Sequence, residues 1–395
     1  MADSLFLEME AAQYTKAGQS ACGDDVRMKT IEREHRHLAV VSDGLGSGVK
    51  ASVLANMTTT MALRFLESNL PILETAEIIM DSLPVCDVRK ISYSTFSLFD
   101  FRLGGRVRIV EMGNPAHIHL RGAEEVAPER EERLASPHWP DRHIRETESA
   151  FEPGERIIIC SDGVTQSGMG ESRLLRFGWR RSGVLAFAKE KIAANPEISA
   201  RDLSRSIASH ALMLAPGGCK DDISCFVAYL RHPRVMRVLT GPPYYKDRDA
   251  DFARQALLGE GDVIVCGGTT ANILERELGV KVHVDLKDAR NAGGLPPVGR
   301  IPGIGIATEG ILTLSRTLSA LEERRGTASE PAAVREMIDA FMRHDRIEFV
   351  VGTKVNEAHQ DPNIPQDLEL RRSVISRLAA VLERTYRKET EVNHW

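Results

Sequence analysis

The feature that most constrains this chain is an apolar strand that ends in Ser-Asp-Gly, which occurs twice. Residues 38–44 read LAVVSDG, and residues 157–163 read IIICSDG. A carboxylate at a strand end, followed by a glycine turn, has a fixed position with backbone carbonyl groups close by. Such oxygen atoms are the ligands that hard divalent cations prefer. The pattern therefore indicates Asp43 and Asp162 as candidate metal ligands, and a plain turn is the alternative for either one alone.

Two further stretches have the same character. Asp221 and Asp222 begin a predicted strand after a Pro-Gly-Gly break, and Asp24 lies just before another predicted strand. Because strand ends gather at the rim of a β-sandwich, we expect these carboxylates to converge. Like charges a few ångströms apart repel strongly, and a pair of divalent cations would remove that repulsion. Asp221 is the expected ligand, and Asp222 is either a further ligand or an anchor of the turn.

The expected site divides its roles among five residues. Asp43 would bridge two metal ions, and the backbone carbonyl of Gly44 would bind one of them. Asp162 and Asp221 would bind the other ion, and Asp24 would hold metal-bound water. Two ions roughly 4 Å apart can share a water, lower its pKa and hold a phosphate in line for attack. Hydrolysis of a phosphomonoester would then need no nucleophilic side chain.

The order of the elements indicates two stacked sheets in the first part of the chain. The predicted elements are strands over 4–14 and 26–42, helices over 49–67 and 73–83, short strands over 93–100, 106–111, 116–120, 124–126 and 143–151, a strand over 156–160, helices over 183–193 and 199–214, and a strand over 223–230. Few segments alternate between strand and helix. This favours an α+β fold with mainly antiparallel sheets and helices packed outside.

The pattern changes after His232-Pro233, so we expect domains over 1–232 and 236–395. The second part alternates between helix and strand, which predicts a smaller α/β domain with parallel strands. The predicted strands are 262–266, 280–286 and 347–352, the helices are 247–258, 268–278, 308–324, 330–343 and 366–388, and the loops are 291–306 and 353–365.

A glycine turn between a buried strand and a helix suggests a ligand pocket in the second domain. Backbone N–H groups at such a helix start bind anions, and open α/β sheets bind ligands at the carboxyl ends of their strands. The candidate lining residues are Gly267, Gly268, Thr269, Thr270, Glu309, Lys354 and Asn356. We hypothesise a regulatory module that binds a small anionic or nucleotide ligand, or that forms a homodimer. A tight turn without a ligand is the alternative.

Composition excludes several classes of protein. The net charge is −5 without a basic excess in either part, which disfavours nucleic-acid binding. No apolar run approaches the roughly 18 to 20 residues of a membrane span, and the first residues lack a basic leader. The six cysteines form no CxxC pair and no zinc-like spacing with histidine. We therefore expect free thiols and a cytoplasmic protein with no membrane partner.

These motifs resemble a known family. SDGLGSG, SDGV and KDDIS, preceded by Gly23-Asp24, resemble the motif series of metal-dependent serine/threonine phosphatases of the protein phosphatase 2C fold, of the bacterial SpoIIE type. Gly113-Asn114-Pro115 is similar to a turn of that family. The resemblance covers about residues 1–232, and the motifs occur in the family's order. One departure is that no arginine lies next to Asp24 in the position where eukaryotic relatives bind phosphate. Arg27 is the nearest.

The resemblance implies an αββα sandwich, two Mn²⁺ or Mg²⁺ ions, and phosphoserine or phosphothreonine protein substrates. It also implies a regulatory partner, such as a phosphorylated anti-sigma factor antagonist. Residues 236–395 resemble the C-terminal extension of certain SpoIIE-type phosphatases. Our leading hypothesis is a metal-dependent protein phosphatase in bacterial signalling. The alternatives are a non-catalytic scaffold with a phosphatase fold, or a ligand sensor driven by the C-terminal domain.

Three cysteines add a separate hypothesis. Cys22, Cys160 and Cys219 each precede one of the candidate carboxylates by two residues. In an extended backbone, such residues face the same way. The thiols would then lie near the metals and make activity sensitive to oxidation. The alternative is that cysteine serves there as a small apolar residue in the core.

Overall fold

The computed structural model describes residues 5–82, 94–135, 143–259, 261–284, 295–324, 329–354 and 364–395. The chain divides into two compact units, Met1–His232 and Pro233–Trp395. No helix among the described residues is long and apolar enough to cross a membrane.

The described residues of the first unit form two antiparallel sheets and five helices. Its strands are β1 (Phe6–Tyr14), β2 (Asp24–Ile31), β3 (Arg36–Asp43), β4 (Phe96–Arg102), β5 (Arg106–Met112), β6 (Ile118–Arg121), β7 (Glu124–Glu125), β8 (Arg130–Ala135), β9 (His143–Ala150), β10 (Glu155–Cys160) and β11 (Ile223–Arg231). Its helices are α1 (Val49–Glu67), α2 (Ile72–Ser82), α3 (Asp162–Thr165), α4 (Arg180–Ala194) and α5 (Ala200–Met213). One sheet has the order β1-β11-β10-β6-β7, and the other has the order β2-β3-β4-β5-β9-β8.

The alternation of side chains along each central strand builds the layers of this unit. On β3, Ala39 and Val41 join the core between the sheets, while Leu38 and Val40 pack in the core that includes α1 and α2. On β10, Ile157 and Ile159 face the other sheet, and Ile158 packs in the core with α4 and α5. Burial on both faces explains why these strands are continuous apolar runs. The resulting αββα sandwich confirms the expected fold class.

Two parts of this unit differ from the prediction. Residues 26–42, predicted as one strand, belong to the hairpin β2–β3, whose link includes a 3₁₀ turn and His35 at φ 46°. The link contains no glycine or proline, so the usual turn signal is missing. Strand β8 was also not predicted, because its sequence REERLA is polar. It pairs only with β9, at an edge of the sheet.

The second unit is built on one mixed seven-stranded sheet. Its elements are β12 (Val235–Thr240), α6 (Asp249–Arg254), β13 (Asp262–Cys266), α7 (Gly268–Leu278), β14 (His283–Val284), β15 (Gly299–Ile301), β16 (Gly305–Thr308), α8 (Ile311–Glu322), α9 (Ala332–Arg343), β17 (Arg346–Val351), α10 (Ile364–Tyr386) and β18 (Glu389–His394). The strand order is β14-β15-β16-β13-β12-β17-β18. The five strands from β16 to β18 in that order are parallel. Helices α6 and α7 pack in one core, and α8, α9 and α10 pack in another.

The parallel core agrees with the predicted α/β domain, but four strands were not expected. One is β12 (Val235–Thr240), which lies between β13 and β17 in the sheet and begins at the expected domain boundary. The described part of the predicted loop 291–306 contains β15 and the start of β16, and these pair as an antiparallel hairpin. Strand β18 follows the last helix and lies at an edge. Strands β15, β16 and β18 are short or polar segments, and their pairing depends on neighbouring strands more than on their own sequence.

Candidate metal centre

The hairpin β2–β3 brings two candidate carboxylates together. Asp24, the first residue of β2, pairs directly with Asp43, the last residue of β3. The backbone N–H of Gly44 donates to the carbonyl of Gly23 at 3.1 Å, which extends this pairing by one step. The N–H of Thr95 donates to the carbonyl of Asp43 at 2.9 Å. Asp43 is therefore held from both sides at the end of its strand.

Glycine at position 44 allows helix α1 to begin close to this strand end. A Cβ atom built on Gly44 would lie 2.2 Å from the carbonyl oxygen of Ala51, which is far inside van der Waals contact. Gly48 has φ 71° and precedes the helix. The first turn of α1 thus packs directly on the backbone that carries Asp43.

The other candidate carboxylates lie where β10 ends and β11 begins. Asp162 starts α3 immediately after β10. A Cβ atom built on Gly163 would lie 2.0 Å from the carbonyl oxygen of Asp222 and 3.3 Å from Cβ of Asp221. Ser161 Oγ donates to the carbonyl of Asp222 at 3.2 Å and accepts from the N–H of Ser224 at 3.0 Å. These contacts place Asp162 beside Asp221.

Asp222 connects the two sides of the site. Its side chain is 3% exposed, and its Oδ1 accepts from the N–H of Lys16 at 2.9 Å. Its Oδ2 accepts from the N–H of Gly23, also at 2.9 Å, one residue before Asp24. Asp221 is partly exposed, and its Oδ1 accepts from the N–H of Asp222 at 3.0 Å. This geometry favours the anchor role for Asp222 and leaves Asp221 as the candidate ligand.

The five residues Asp24, Asp43, Asp162, Asp221 and Asp222, here called the aspartate group, act on one another electrostatically. Desolvation, followed by the carboxylates of Asp24, Asp162 and Asp221, raises the pKa of Asp43 to about 9. Desolvation also raises the pKa of Asp24 to about 7, against hydrogen bonds from Ser224 and Ser161 that lower it. The pKa of Asp162 is raised by desolvation and then by Asp221. Without a counter-charge, these carboxylates repel one another.

The chemistry of this group fits a hard divalent cation. Asp24 Oδ2 and Asp162 Oδ1 are buried and have no hydrogen-bond partner. Buried carboxylate oxygens without partners are costly, and a cation that binds oxygen ligands would satisfy them. Within the described residues, no three His, Cys, Asp or Glu side chains already stand in a metal-binding arrangement.

Several residues that brace the site were not predicted as site residues. Ser94 Oγ donates to the carbonyl of Asp43 at 3.1 Å, and the N–H of Asp43 donates to Thr95 Oγ1 at 3.3 Å. Thr95 Oγ1 also donates to Asn114 Oδ1, in the Gly-Asn-Pro turn. Gln166 Nε2 donates to Asp162 Oδ2 at 2.9 Å. The Gly-Asn-Pro motif was the one available signal. It pointed to a turn, without indicating that Asn114 bonds to Thr95, which in turn bonds to Asp43.

The described cysteines are free thiols, and Cys86 lies outside the described residues. Desolvation raises the pKa of Cys22 to about 12 and also raises the pKa of Cys219. Cys160 is buried and pairs with Cys225 across β10 and β11. A protonated thiol is a poor nucleophile toward oxidants. These surroundings favour the packing role over oxidation sensitivity, which stays a prediction.

The described candidate pocket residues of the second unit fall at one edge of its sheet. Gly267 precedes α7, and Gly268, Thr269 and Thr270 form the first turn of that helix. Glu309, which precedes α8, and Lys354, which follows β17, lie elsewhere along this edge. Asn356 lies outside the described residues.

Comparisons with known proteins agree with the motif pattern. Residues 33–231 match the family model of Stage II sporulation protein E (SpoIIE). A search of curated proteins found no match. Among solved structures, the PP2C phosphatase domain with a fragment of the regulatory domain of SpoIIE from Bacillus subtilis is 19% identical, with a TM-score of 0.47 over 58% of this chain and 63% of that chain.

Two other structures are similar to comparable parts of the chain. RsbX in complex with magnesium is 17% identical, with a TM-score of 0.40 over 57% of this chain and 95% of that chain. The RsbU and RsbW domains of Rv1364c from Mycobacterium tuberculosis are 16% identical, with a TM-score of 0.44 over 72% of this chain and 73% of that chain. The match to the Bacillus subtilis structure spans less than two thirds of that chain. The family model itself covers just over half of the present chain, and the chain therefore belongs to the SpoIIE family.

Proposed function

We propose that this chain is a metal-dependent protein serine/threonine phosphatase that acts on a phosphorylated regulatory protein in bacterial signalling. The observation that carries the proposal is the aspartate group in a SpoIIE-family chain. Four segments of the chain bring carboxylates to one rim of the sandwich, at the start of β2, the end of β3, the end of β10 and the start of β11. Two of their buried oxygens have no hydrogen-bond partner. Such an arrangement is unfavourable unless cations bind to it.

The residues divide the work as follows. Asp43, Asp162 and Asp221, together with the Gly44 carbonyl, would hold two Mn²⁺ or Mg²⁺ ions. When bound, such ions lower the pKa of a shared water and neutralise the charge of a phosphate held in line. Asp24 Oδ2, which has no partner, would accept a hydrogen bond from the attacking water and orient it. Asp222 would keep Asp24 in place through its hydrogen bond to Gly23.

The neighbouring serines support a water nucleophile over a covalent mechanism. Ser42 Oγ donates to the carbonyl of Thr95 at 2.7 Å, and Ser161 Oγ donates to the carbonyl of Asp222. A nucleophilic serine needs an adjacent general base, usually histidine, within hydrogen-bond distance. Both hydroxyls instead donate to backbone carbonyls, and the further hydrogen bond between Ser161 and Asp24 holds that carboxylate within the site. They would therefore position the carboxylates without attacking the substrate.

The test is hydrolysis of p-nitrophenyl phosphate and of a phosphoserine protein, each with Mn²⁺ or Mg²⁺. We expect Asp43→Asn to lower the rate on both substrates by at least about a hundredfold, as loss of a key electrostatic group does in other enzymes. Asp247→Asn, at an exposed position of the second unit, is the matched control and should keep the wild-type rate. Equal rates for wild type and Asp43→Asn would refute the metal mechanism. A folded wild-type protein without any cation-dependent hydrolysis would favour the non-catalytic scaffold.

A further inference from the structure

The parallel strands of the second unit end in register along one edge of the sheet. Thr240 on β12 pairs with Cys266 on β13 and with Val351 on β17, and Cys266 pairs with Thr308 on β16. The residues that follow these strands therefore lie in one row. Neighbouring strands are about 4.8 Å apart, so one small ligand can contact the loops after two or three of them.

The order of the strands marks this edge as a place for a ligand. From β12, the chain proceeds to β13 and β16 on one side, and then returns to β17 and β18 on the other side. The direction of winding thus reverses beside β12. Open parallel sheets bind ligands outside the carboxyl ends of their strands at such a reversal.

Helices α7 and α8 start after β13 and β16, on one side of this reversal, and α7 has the open N-terminus. Gly267, which precedes α7, has φ 106° and no side chain that could cap the helix. A Cβ atom built on Gly268 would meet nothing within 4 Å, so the space above the first turn is open. Helix α8 differs, because Glu309 Oε2 accepts from the N–H of Leu312 at 3.2 Å. A carboxylate of the chain already lies at the positive end of α8, whereas α7 offers its positive end to an external anion.

A buried hydroxyl at α7 provides independent evidence for a ligand. Thr270 is 1% exposed, and its Oγ1 has no hydrogen-bond partner. This oxygen lies 3.8 Å from a Cβ atom built on Gly267, so it faces the turn before the helix. A buried hydroxyl without a partner is unfavourable. An oxygen of a ligand seated on this turn would supply the missing acceptor after a small adjustment of the turn.

The loop after β12 adds a cation and aromatic rings at the same edge. Nη1 of Arg371 lies 2.5 Å from a Cβ atom built on Gly241, which follows β12 beside Gly267. Tyr244 and Tyr245 come three and four residues later and are 58% and 62% exposed. Their ring centroids are 4.8 Å apart in an edge-on arrangement. Exposed tyrosine rings provide surfaces on which a planar base can stack.

We propose that this edge of the second unit binds a nucleotide. The phosphate occupies the N-terminus of α7, where the backbone of Gly268 and the hydroxyl of Thr270 donate to it. The Arg371 guanidinium balances the charge, and the base stacks on Tyr244 or Tyr245. The site uses no residue of the aspartate group, so the proposal is independent of phosphatase activity.

The test is calorimetric titration of the full-length, metal-free protein with ADP, GDP, adenosine and inorganic phosphate. We expect at least one nucleotide to bind, and adenosine and phosphate to bind at least about tenfold more weakly, because each lacks one of the two contacts. Gly268→Asp should abolish this binding, because it places a carboxylate in the open space at the helix start. Gly104→Asp is the matched control, at a glycine that also has nothing within 4 Å of its built Cβ.

Thr270→Val separates a ligand contact from a structural role. Removing a hydroxyl that has no partner should leave the thermal midpoint of the ligand-free protein unchanged or higher, while nucleotide binding weakens by about tenfold. The proposal is overturned if no nucleotide binds, if adenosine or phosphate binds as tightly as the nucleotide, if Gly268→Asp or Thr270→Val binds as wild type does, or if Thr270→Val lowers the ligand-free midpoint.

Discussion

Asp24 and Asp43 are directly opposed residues of the antiparallel pair β2–β3. In such a pair, the two Cβ atoms are about 4.5–5.5 Å apart, so two carboxylates at these positions repel each other. The register of the hairpin therefore places the two carboxylates close together, and a bound cation would offset their repulsion. Several outcomes can be expected from this arrangement.

The stability of the metal-free protein should fall as pH rises. The pKa is raised from 3.8 to about 7 for Asp24 and to about 9 for Asp43, so the folded state binds protons more tightly than the unfolded chain. The protonated carboxyls therefore favour folding below about pH 4, and this contribution is lost as pH rises to about 7 and about 9 respectively. Urea unfolding of chelator-treated protein at several pH values should show this decline. Asp43→Asn should show a smaller decline, and an identical pH profile for the two proteins would contradict the account.

Asp221 and Asp222 are adjacent, but replacing Asp222 should mainly affect stability, and replacing Asp221 should mainly affect hydrolysis. Asp222→Ala removes the acceptor of two backbone N–H groups, from Lys16 and Gly23, and should lower the free energy of unfolding by roughly 2–5 kcal/mol. Asp221→Ala, at a partly exposed position, should change stability by less than about 1 kcal/mol but abolish cation-dependent hydrolysis. Urea unfolding and the phosphatase assay distinguish the two. A larger stability loss for Asp221→Ala than for Asp222→Ala would reverse the assigned roles.

Gly44 should be intolerant of any side chain. Its built Cβ lies 2.2 Å from the carbonyl oxygen of Ala51, so Gly44→Ala must displace either the strand end or helix α1. We expect a loss of at least about 1–3 kcal/mol in stability and a strong loss of hydrolysis. Gly104→Ala is the control, because its built Cβ has open space. Thermal unfolding of both variants checks the prediction, which fails if Gly44→Ala is as stable and active as the control.

Gln166 should act by positioning Asp162. Its Nε2 donates to Asp162 Oδ2, and groups that orient a metal ligand typically affect metal affinity by about 10–100-fold. Gln166→Leu should therefore raise the Mn²⁺ concentration needed for half-maximal activity by about tenfold, with most activity recovered at saturating Mn²⁺. The conservative change Gln166→Glu replaces the donor by an acceptor and should not rescue the loss. Unchanged Mn²⁺ dependence in Gln166→Leu would mean that this hydrogen bond has no role in metal binding.

The residues at strand ends were predictable because the signal is local. Asp43 and Asp162 each follow an apolar run and precede glycine, and the continuous apolar runs report burial on both faces. The hairpin link around His35 was not predictable in the same way, because it contains no glycine or proline. Its residues form a turn only because β2 and β3 both pack against the same layers.

The residues that hold the candidate ligands in place by hydrogen bonds reach them through contacts between distant segments of the chain. Ser94 and Thr95 reach Asp43 because β4 pairs with β3 across about fifty residues of sequence, a register that no short motif encodes. The Gly-Gly turn in the sequence indicated a helix start without a capping side chain at α7. The sequence could not indicate that the Thr270 hydroxyl lacks a hydrogen-bond partner, because this depends on how the turn packs in three dimensions.

If the aspartate group forms one two-metal centre, calorimetric titration of chelator-treated protein with Mn²⁺ should detect both ions. We expect wild type to bind two Mn²⁺ ions per chain with release of protons, because the cations displace protons from Asp24 and Asp43. Asp43→Asn, which lacks the carboxylate proposed to hold both ions, should bind at most one ion. Wild type that binds no Mn²⁺, or an Asp43→Asn variant that binds Mn²⁺ with the same stoichiometry, affinity and proton release, would show that the aspartate group is not a two-metal centre.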